Sequence, residues 1–268
     1  MKFTLFILIL LAHCNSFSQQ TSFKNAVCKE CASSRYPVRC TEQKIENDIV
    51  GLLNESMISD LPEKNKNNYF SISIFLALDA NGNVIQDLTE TRSDSENLKN
   101  AAFTYLNNLS GFISKDANIK ERRSVYVINR TFIYEANTHN YRFANAAELT
   151  QKKIKPDYIN YDQAAIYKSD CADGTYDEQL KCTTNSIFKY IAKNYKTPEI
   201  KRQAPIGVHL ILLIDSDGKV SVEIITGSSP NVYEKEAIRT VNNMPTIQPA
   251  LIKGITAVTR IEGTHVIK

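Results

Sequence analysis

Cys28-Lys-Glu-Cys31 is the first spacing in the chain that could do chemistry. Two thiols with two residues between them can form a redox couple, or half of a tetrahedral metal site with Cys40 and one ligand from elsewhere. A thioredoxin-like couple sits between a buried strand and a helix, whereas this pair lies in a polar stretch near the N-terminus. A cysteine-dependent envelope redox enzyme is thus one alternative reading, and structural disulfides are the first expectation. Asp215-Ser-Asp217-Gly218 has the start of a calcium loop, but the further oxygen ligands and the terminal glutamate of an EF-hand are missing, so a hairpin turn accounts for it better. Beyond His13, the histidines are His139, His209 and His265, none of them in a nucleophile motif. No glycine-rich phosphate loop, nucleophile elbow or HExxH occurs, and nothing singles out one pair among the 29 acids for hydrolysis. The chain therefore reads as a non-enzyme, with no cofactor and no metal site.

Lys2 followed by the apolar run 3–12 and the polar run 15–20 reads as a signal peptide over residues 1–19, with Ser16 and Ser18 placing the cut before Gln19 or Gln20. Cys14 follows Leu-Leu-Ala-His as a lipoprotein cysteine would, but His13 is a poor residue before a lipidation site. An uncleaved inner-membrane anchor is the weaker alternative, because the stretch is shorter than the roughly 20 apolar residues of a spanning helix. The expected location is the periplasm or outside the cell. A formal charge of +3, with short basic runs that carry no aromatic platform, excludes nucleic acid as the default partner. Cys28, Cys31, Cys40, Cys171 and Cys182 follow the leader, and in an oxidising compartment they are read first as disulfide partners.

An internal repeat organises the rest. Cys31-Ala to Cys40-Thr and Cys171-Ala to Cys182-Thr each precede a helix-like segment, over 42–53 and 185–195. Each is followed by an apolar run that ends in an acid and a glycine turn: 69–78 then Asp79-Ala-Asn-Gly82, and 208–214 then Asp215-Ser-Asp-Gly218. Asp79 and Asp215, like Gly82 and Gly218, stand 136 residues apart. Glycine there accepts the positive φ of a tight hairpin turn. A helix follows in each half: 98–109 aligns with 233–244, where Tyr233, Ala237, Val241 and Met244 share one face and Ser229-Pro230 supplies a cap. A β-rich run closes each half, over 124–134 and 255–261.

The expected fold class is α+β: two copies of an αββαβ unit, each a three-stranded antiparallel sheet packed on helices. The first, degenerate unit spans 28–134, a connection with a short helix near 144–151 spans 135–170, and the second unit spans 171–268. The repeat pairs Cys31 with Cys40 and Cys171 with Cys182, which leaves Cys28 free or competing with Cys31. Residues 208–214 are apolar on both faces, so the sheet needs cover on its second face, from the other copy or from a homodimer.

The second half carries the landmarks of a known family. Tyr195-Lys-Thr-Pro198, Asp215 and Gly218, Glu236-Ala237-Ile-Arg239, Pro245 and Pro249 flanking Thr-Ile-Gln, Ala250 and Gly254 together resemble the C-terminal domain of the TonB energy-transducer family. The resemblance covers about a third of the chain, and the first half shows it only through Asp79, Gly82, Ala102 and the hairpin. It implies a periplasmic domain that takes an extended segment of an envelope protein, such as an outer-membrane receptor, as an added strand. The candidate strand is Ile255, Ala257, Thr259 and Ile261, or the final residues from His265. The family's usual tryptophan between the two prolines is Ile247 here, and the eight prolines are scattered rather than gathered into a spacer. A membrane-anchored energy transducer is accordingly the alternative within the resemblance.

Overall fold

The computed structural model describes residues 25–61, 69–114, 123–135, 140–197, 206–227 and 231–267. The leader expected over 1–19, His139 and the Ser229-Pro230 cap lie outside them. In chain order the elements are β1 Val27–Cys28, α1 Pro37–Gly51, β2 Tyr69–Leu78, β3 Glu90–Ser93, α2 Glu96–Asn107, β4 Phe112–Ile113, β5 Ser124–Glu135, β6 Asn140–Phe143, α3 Ala146–Gln151, α4 Tyr176–Asn194, β7 Ile206–Ile214, β8 Val220–Gly227, α5 Asn231–Asn242, β9 Ala250–Ile252, β10 Ile255–Ala257 and β11 Thr259–Ile267. The class is α+β with antiparallel sheets. Among the described residues no helix is long and apolar enough to cross a membrane.

The two long helices begin earlier than their apolar periodicity suggested. Pro37 occupies the first turn of α1, where its missing N–H costs nothing. Thr175 caps α4 in a reciprocal box with Glu178. Cys40 and Cys182 consequently lie inside the helices, and each is bonded to a cysteine that ends a 3-10 turn: Cys31–Cys40 and Cys171–Cys182, with Cα atoms 5.6 and 5.4 Å apart. The next residue is a buried threonine in both cases. Thr41 Oγ1 accepts from the Cys28 N–H at 3.0 Å, and Thr183 Oγ1 accepts from the Tyr167 N–H at 3.2 Å, so each helix start is also pinned to the segment before it. Closing loops of 9 and 11 residues removes roughly 2.5–3 kcal/mol of unfolded-chain entropy per bridge. Replacing Cys171 and Cys182 by serine should therefore lower unfolding free energy by about that amount in a urea titration, with an unchanged far-ultraviolet spectrum.

Two sheets carry the architecture. The first has strand order β3-β2-β5-β6 and the second β11-β7-β8. In each, the first long strand is central, with β2 against β5 from Leu78↔Ser124 to Tyr69↔Ile133 and β7 against β11 from Ile214↔Thr259 to Ile206↔Ile267. Phe70, Ile72, Ile74, Leu76 and Leu78 on one face of β2 pack with Ile45, Ile49, Leu98, Ala102 and Leu106 of the helices. Val208, Leu210, Leu212 and Ile214 pack likewise with Ile187, Ile191, Tyr233, Ala237 and Val241.

The glycine turns form, and each aspartate side chain holds its turn in the same way. Asp79 Oδ1 accepts from the Asn81 and Asn83 N–H groups, and Asp215 Oδ1 accepts from those of Asp217 and Lys219. Gly82 and Gly218 have φ of +83° and +76°. The strand expected directly after Gly82 does not form there: Val84 makes a single bridge to Leu78, a turn intervenes, and β3 pairs with β2 only from Phe75↔Glu90 to Ile72↔Ser93. The stretch 135–170, expected as a connection, holds β6 and α3 and then the buried run Ala164, Ala165 and Ile166, flanked by bridges from Gln163 to Leu251 and from Ile166 to Gln248.

The second face of the first sheet is covered from the other half. Phe75, Ala77 and Val125 pack with Ile159, and with Ile252 and Ala257 of the β9–β10 hairpin. That hairpin turns at Lys253-Gly254, both at positive φ (51° and 71°). Lys253 places its ammonium 5.0 Å from the centre of the Phe75 ring and pairs with Glu90. The second sheet meets the first half at a corner. There Leu213 packs against the first core, and Arg260 of β11 donates to Glu42 of α1 at 2.7 Å and to Glu223 of β8 at 2.5 and 2.8 Å.

Candidate functional site

The cysteines do not assemble a reactive centre. Cys31 is committed to Cys40, and Cys28 is buried with its thiol pushed up by desolvation, which keeps it in the unreactive protonated form. Alkylation of Cys28 by iodoacetamide should accordingly be at least about tenfold slower in the folded protein than in urea, as read by intact mass. Among the described residues no cluster of three His, Cys, Asp or Glu side chains is arranged to hold a metal ion.

Two cavities among the described residues have polar walls largely spent on structure. The first, of about 410 Å3, is lined by Asn129, Ile159, Asn160, Tyr161, Thr175, Tyr176 and Asp177. Asn129 already bonds Ser73 and the Ile159 carbonyl, Tyr161 donates to the Val258 carbonyl, and Thr175 is the α4 cap. The second, of about 400 Å3, runs along the open face of the second sheet past Arg39, Ile211, Ile224, Arg260 and Glu262. Arg260 in its wall answers Glu223 beside it and Glu42 behind it: burial raises the Glu42 carboxyl above the usual range, while burial lowers Arg260 and the bonds to Glu223 and Glu42 more than restore it.

The residues singled out for the binding motif turn out to serve several purposes. Asp215 and Gly218 build the turn, and Ala237 is buried where α5 meets the sheet. Pro245 is exposed and Pro249 half-buried, but Ile247 between them is buried in the second core and its N–H donates to the Gly218 carbonyl at 2.9 Å. Gly254 completes the β9–β10 turn, with its N–H donating to Asp162 at 3.0 Å. The expected final strand is in fact two. Ile255 and Ala257 belong to β10, which pairs with β9 against the first sheet, and the chain then breaks at Val258 before Thr259 and Ile261 enter β11. The side chains of Ala257, Thr259 and Ile261 are buried inward, so this stretch has main chain rather than side chains to offer a partner.

What the structure does present is an edge. β11 runs nine residues and ends the order β11-β7-β8, so among the described residues no strand pairs with its outward side. Two aromatic contacts border it on the helix face. Gly263 lies under Phe188 of α4, so closely that a Cβ there would stand 2.6 Å from the ring. His265 tilts against Tyr195 with centroids 4.7 Å apart, and burial lowers its pKa, so it is neutral near pH 7. On the opposite face Glu262 and Thr264 are exposed. Phe188 and Gly263 had no signal in the sequence reading, because neither belongs to a motif and their contact joins elements 75 residues apart.

The first sheet shows how such an edge is filled. β6 adds itself to the end of β5, from Phe132↔Phe143 to Glu135↔Asn140. It is a short strand contributed by the segment that follows β5 itself.

No protein-family model, curated protein or solved structure matches this chain.

Proposed function

We propose that the protein is an exported envelope binding module, similar to the TonB C-terminal domain, that takes an extended segment of an envelope partner as an added strand on β11. The observation that carries this reading is the nine-residue edge of β11, unpaired on its outward side among the described residues. An open edge is a row of unused N–H and C=O groups, which supply affinity to any extended chain and favour selection by alternate side chains. Two disulfides of the kind that persist in oxidising compartments support export. The same strand order around β2 and β7, with the same aspartate–glycine turn geometry after each, supports descent of both halves from one unit.

The test is a footprint. Proteins from the native envelope retained on the immobilised protein are carried into amide hydrogen exchange with it. A true partner slows exchange within 261–267 by about tenfold or more, as expected when an edge acquires a strand. A retained partner that protects other segments and leaves β11 unchanged overturns the reading.

A further inference from the structure

We infer that the segment accepted by β11 carries alternating aromatic and basic residues, with an aromatic side chain across from Gly263 and a lysine or arginine across from Glu262; this rests on the strand-addition reading of the same edge. Residues directly across from one another in a sheet point to the same face, so each position of β11 states what its partner residue would meet. Across from Gly263 the partner's side chain enters the helix side. There the half-buried Phe188 ring covers a backbone with no Cβ of its own. With the space over the glycine taken by that ring, a planar apolar group across from it packs against the half-exposed side of Phe188, as aromatic pairs favour. One residue along, the partner's side chain emerges on the other face beside Glu262. That carboxylate is exposed and has no ion-pair partner among the described residues. Its neighbour Arg260 is already engaged by Glu42 and Glu223, so the position offers net negative charge. Opposite charges directly across strands are stabilising and like charges are not.

An independent observation points to the same chemistry. β6, the strand this chain adds to its own first sheet, reads Asn-Tyr-Arg-Phe. Tyr141 and Phe143 turn to the helix side: Phe143 lies 5.0 Å from Phe132 and Tyr141 meets the edge of Phe70 at 5.2 Å. Arg142 turns to the other face and donates to Glu135 of the edge strand at 2.6 Å. Aromatic, basic, aromatic is thus the pattern that fills one edge in this molecule, and Gly263 with Glu262 offers the matching surface at the other.

The experiment uses three fluorescein-labelled peptides: Ser-Thr-Phe-Arg-Phe-Thr-Ser, its Phe-Glu-Phe counterpart and its Ala-Arg-Ala counterpart. Each is titrated with the protein by fluorescence polarisation, and each complex is examined by amide exchange over 261–267. The expected result is tightest binding of the first peptide, with the other two weaker by about fivefold or more, from a pair energy of about 1 kcal/mol. Glu262→Lys, at an exposed position that leaves the fold intact, should reverse the order of the Arg and Glu peptides. If all three protect β11 and bind equally, strand addition stands and the chemistry inferred here is overturned. If none protects β11, the strand-addition reading fails and this inference fails with it.

Discussion

Gly218→Ala is expected to cost at least about 4 kcal/mol and to leave little folded protein at 37 °C. Two effects add at this one atom. At φ +76° any L side chain is strained by about 1–2 kcal/mol. The larger effect is steric, because a Cβ at Gly218 would stand 1.6 Å from the Ile247 carbonyl oxygen, where no rotamer can relieve it. The chain must then lift Ile247 away. This sacrifices the bond from its N–H to the Gly218 carbonyl, worth about 1 kcal/mol, and burial of its side chain, worth roughly 2 kcal/mol. Two other glycines separate the contributions. Gly82→Ala meets the Phe112 carbonyl at 2.6 Å with φ +83°, and should be severe but milder. Gly254→Ala, with φ +71° and nothing within 4 Å, should cost only the backbone strain of about 1–2 kcal/mol. Urea titrations of the three variants should rank them 218, 82, 254. Equal losses at 218 and 254 would show that the close approach of Ile247 contributes nothing.

Arg260→Met carries the second large effect, a loss of about 3–5 kcal/mol at pH 7.5. The guanidinium is the shared partner of Glu42 and Glu223, whose side chains are only 8% and 4% exposed. Methionine fills much of the volume but leaves two buried carboxylates facing each other, and stripping one partner from a buried ion cluster costs this much. The pH dependence follows from the sign of the Glu42 shift. Its folded carboxyl already sits above the usual range because of burial, and Arg260 opposes that rise. Removing Arg260 raises it further, so the folded variant binds protons more readily than the unfolded chain and gains stability as pH falls through that raised value. Thermal melts should therefore show the gap between variant and parent narrowing from pH 7.5 to pH 5. A constant gap would mean that the loss comes from packing alone. Because Glu42 lies on α1 and Arg260 on β11, the variant should also loosen the corner where the halves meet, detectable as faster amide exchange in α1.

The fold class, the two cysteine pairs, the aspartate–glycine turns and a short helix near 144–151, observed as Ala146–Gln151, were legible in the sequence because each is governed by residues close to one another along the chain. Helix starts were less so. The apolar periodicity of α4 begins well inside it, and the true start is marked by Thr175 and Glu178, a capping signal that lies outside the apolar stripe. The β9–β10 hairpin was hidden by Lys253, a residue type that rarely takes positive φ and so does not announce a two-residue turn. β6 is four residues long and gains its meaning only from Phe132 and Glu135 across from it. Of the four residues read as one final strand, Thr259 and Ile261 lie on β11 while Ile255 and Ala257 lie on β10, since the break at Val258 depends on a hairpin settling against Phe75 from the other half. Phe188, Gly263 and Glu262 become a surface only when α4 and β11 are brought together.

That hairpin has a consequence for how the chain reaches its final form. Phe75, Ala77 and Val125 lie in the first half of the sequence, yet part of their apolar cover arrives with Ile252 and Ala257, close to the C-terminus. A chain that is made from its N-terminus would therefore expose a finished four-stranded sheet with part of one apolar face uncovered for as long as the following hundred or so residues take to emerge. The first unit must wait for the β9–β10 hairpin of the second, and a chain cut short before Ile252 would keep its first disulfide and its first core while remaining sticky.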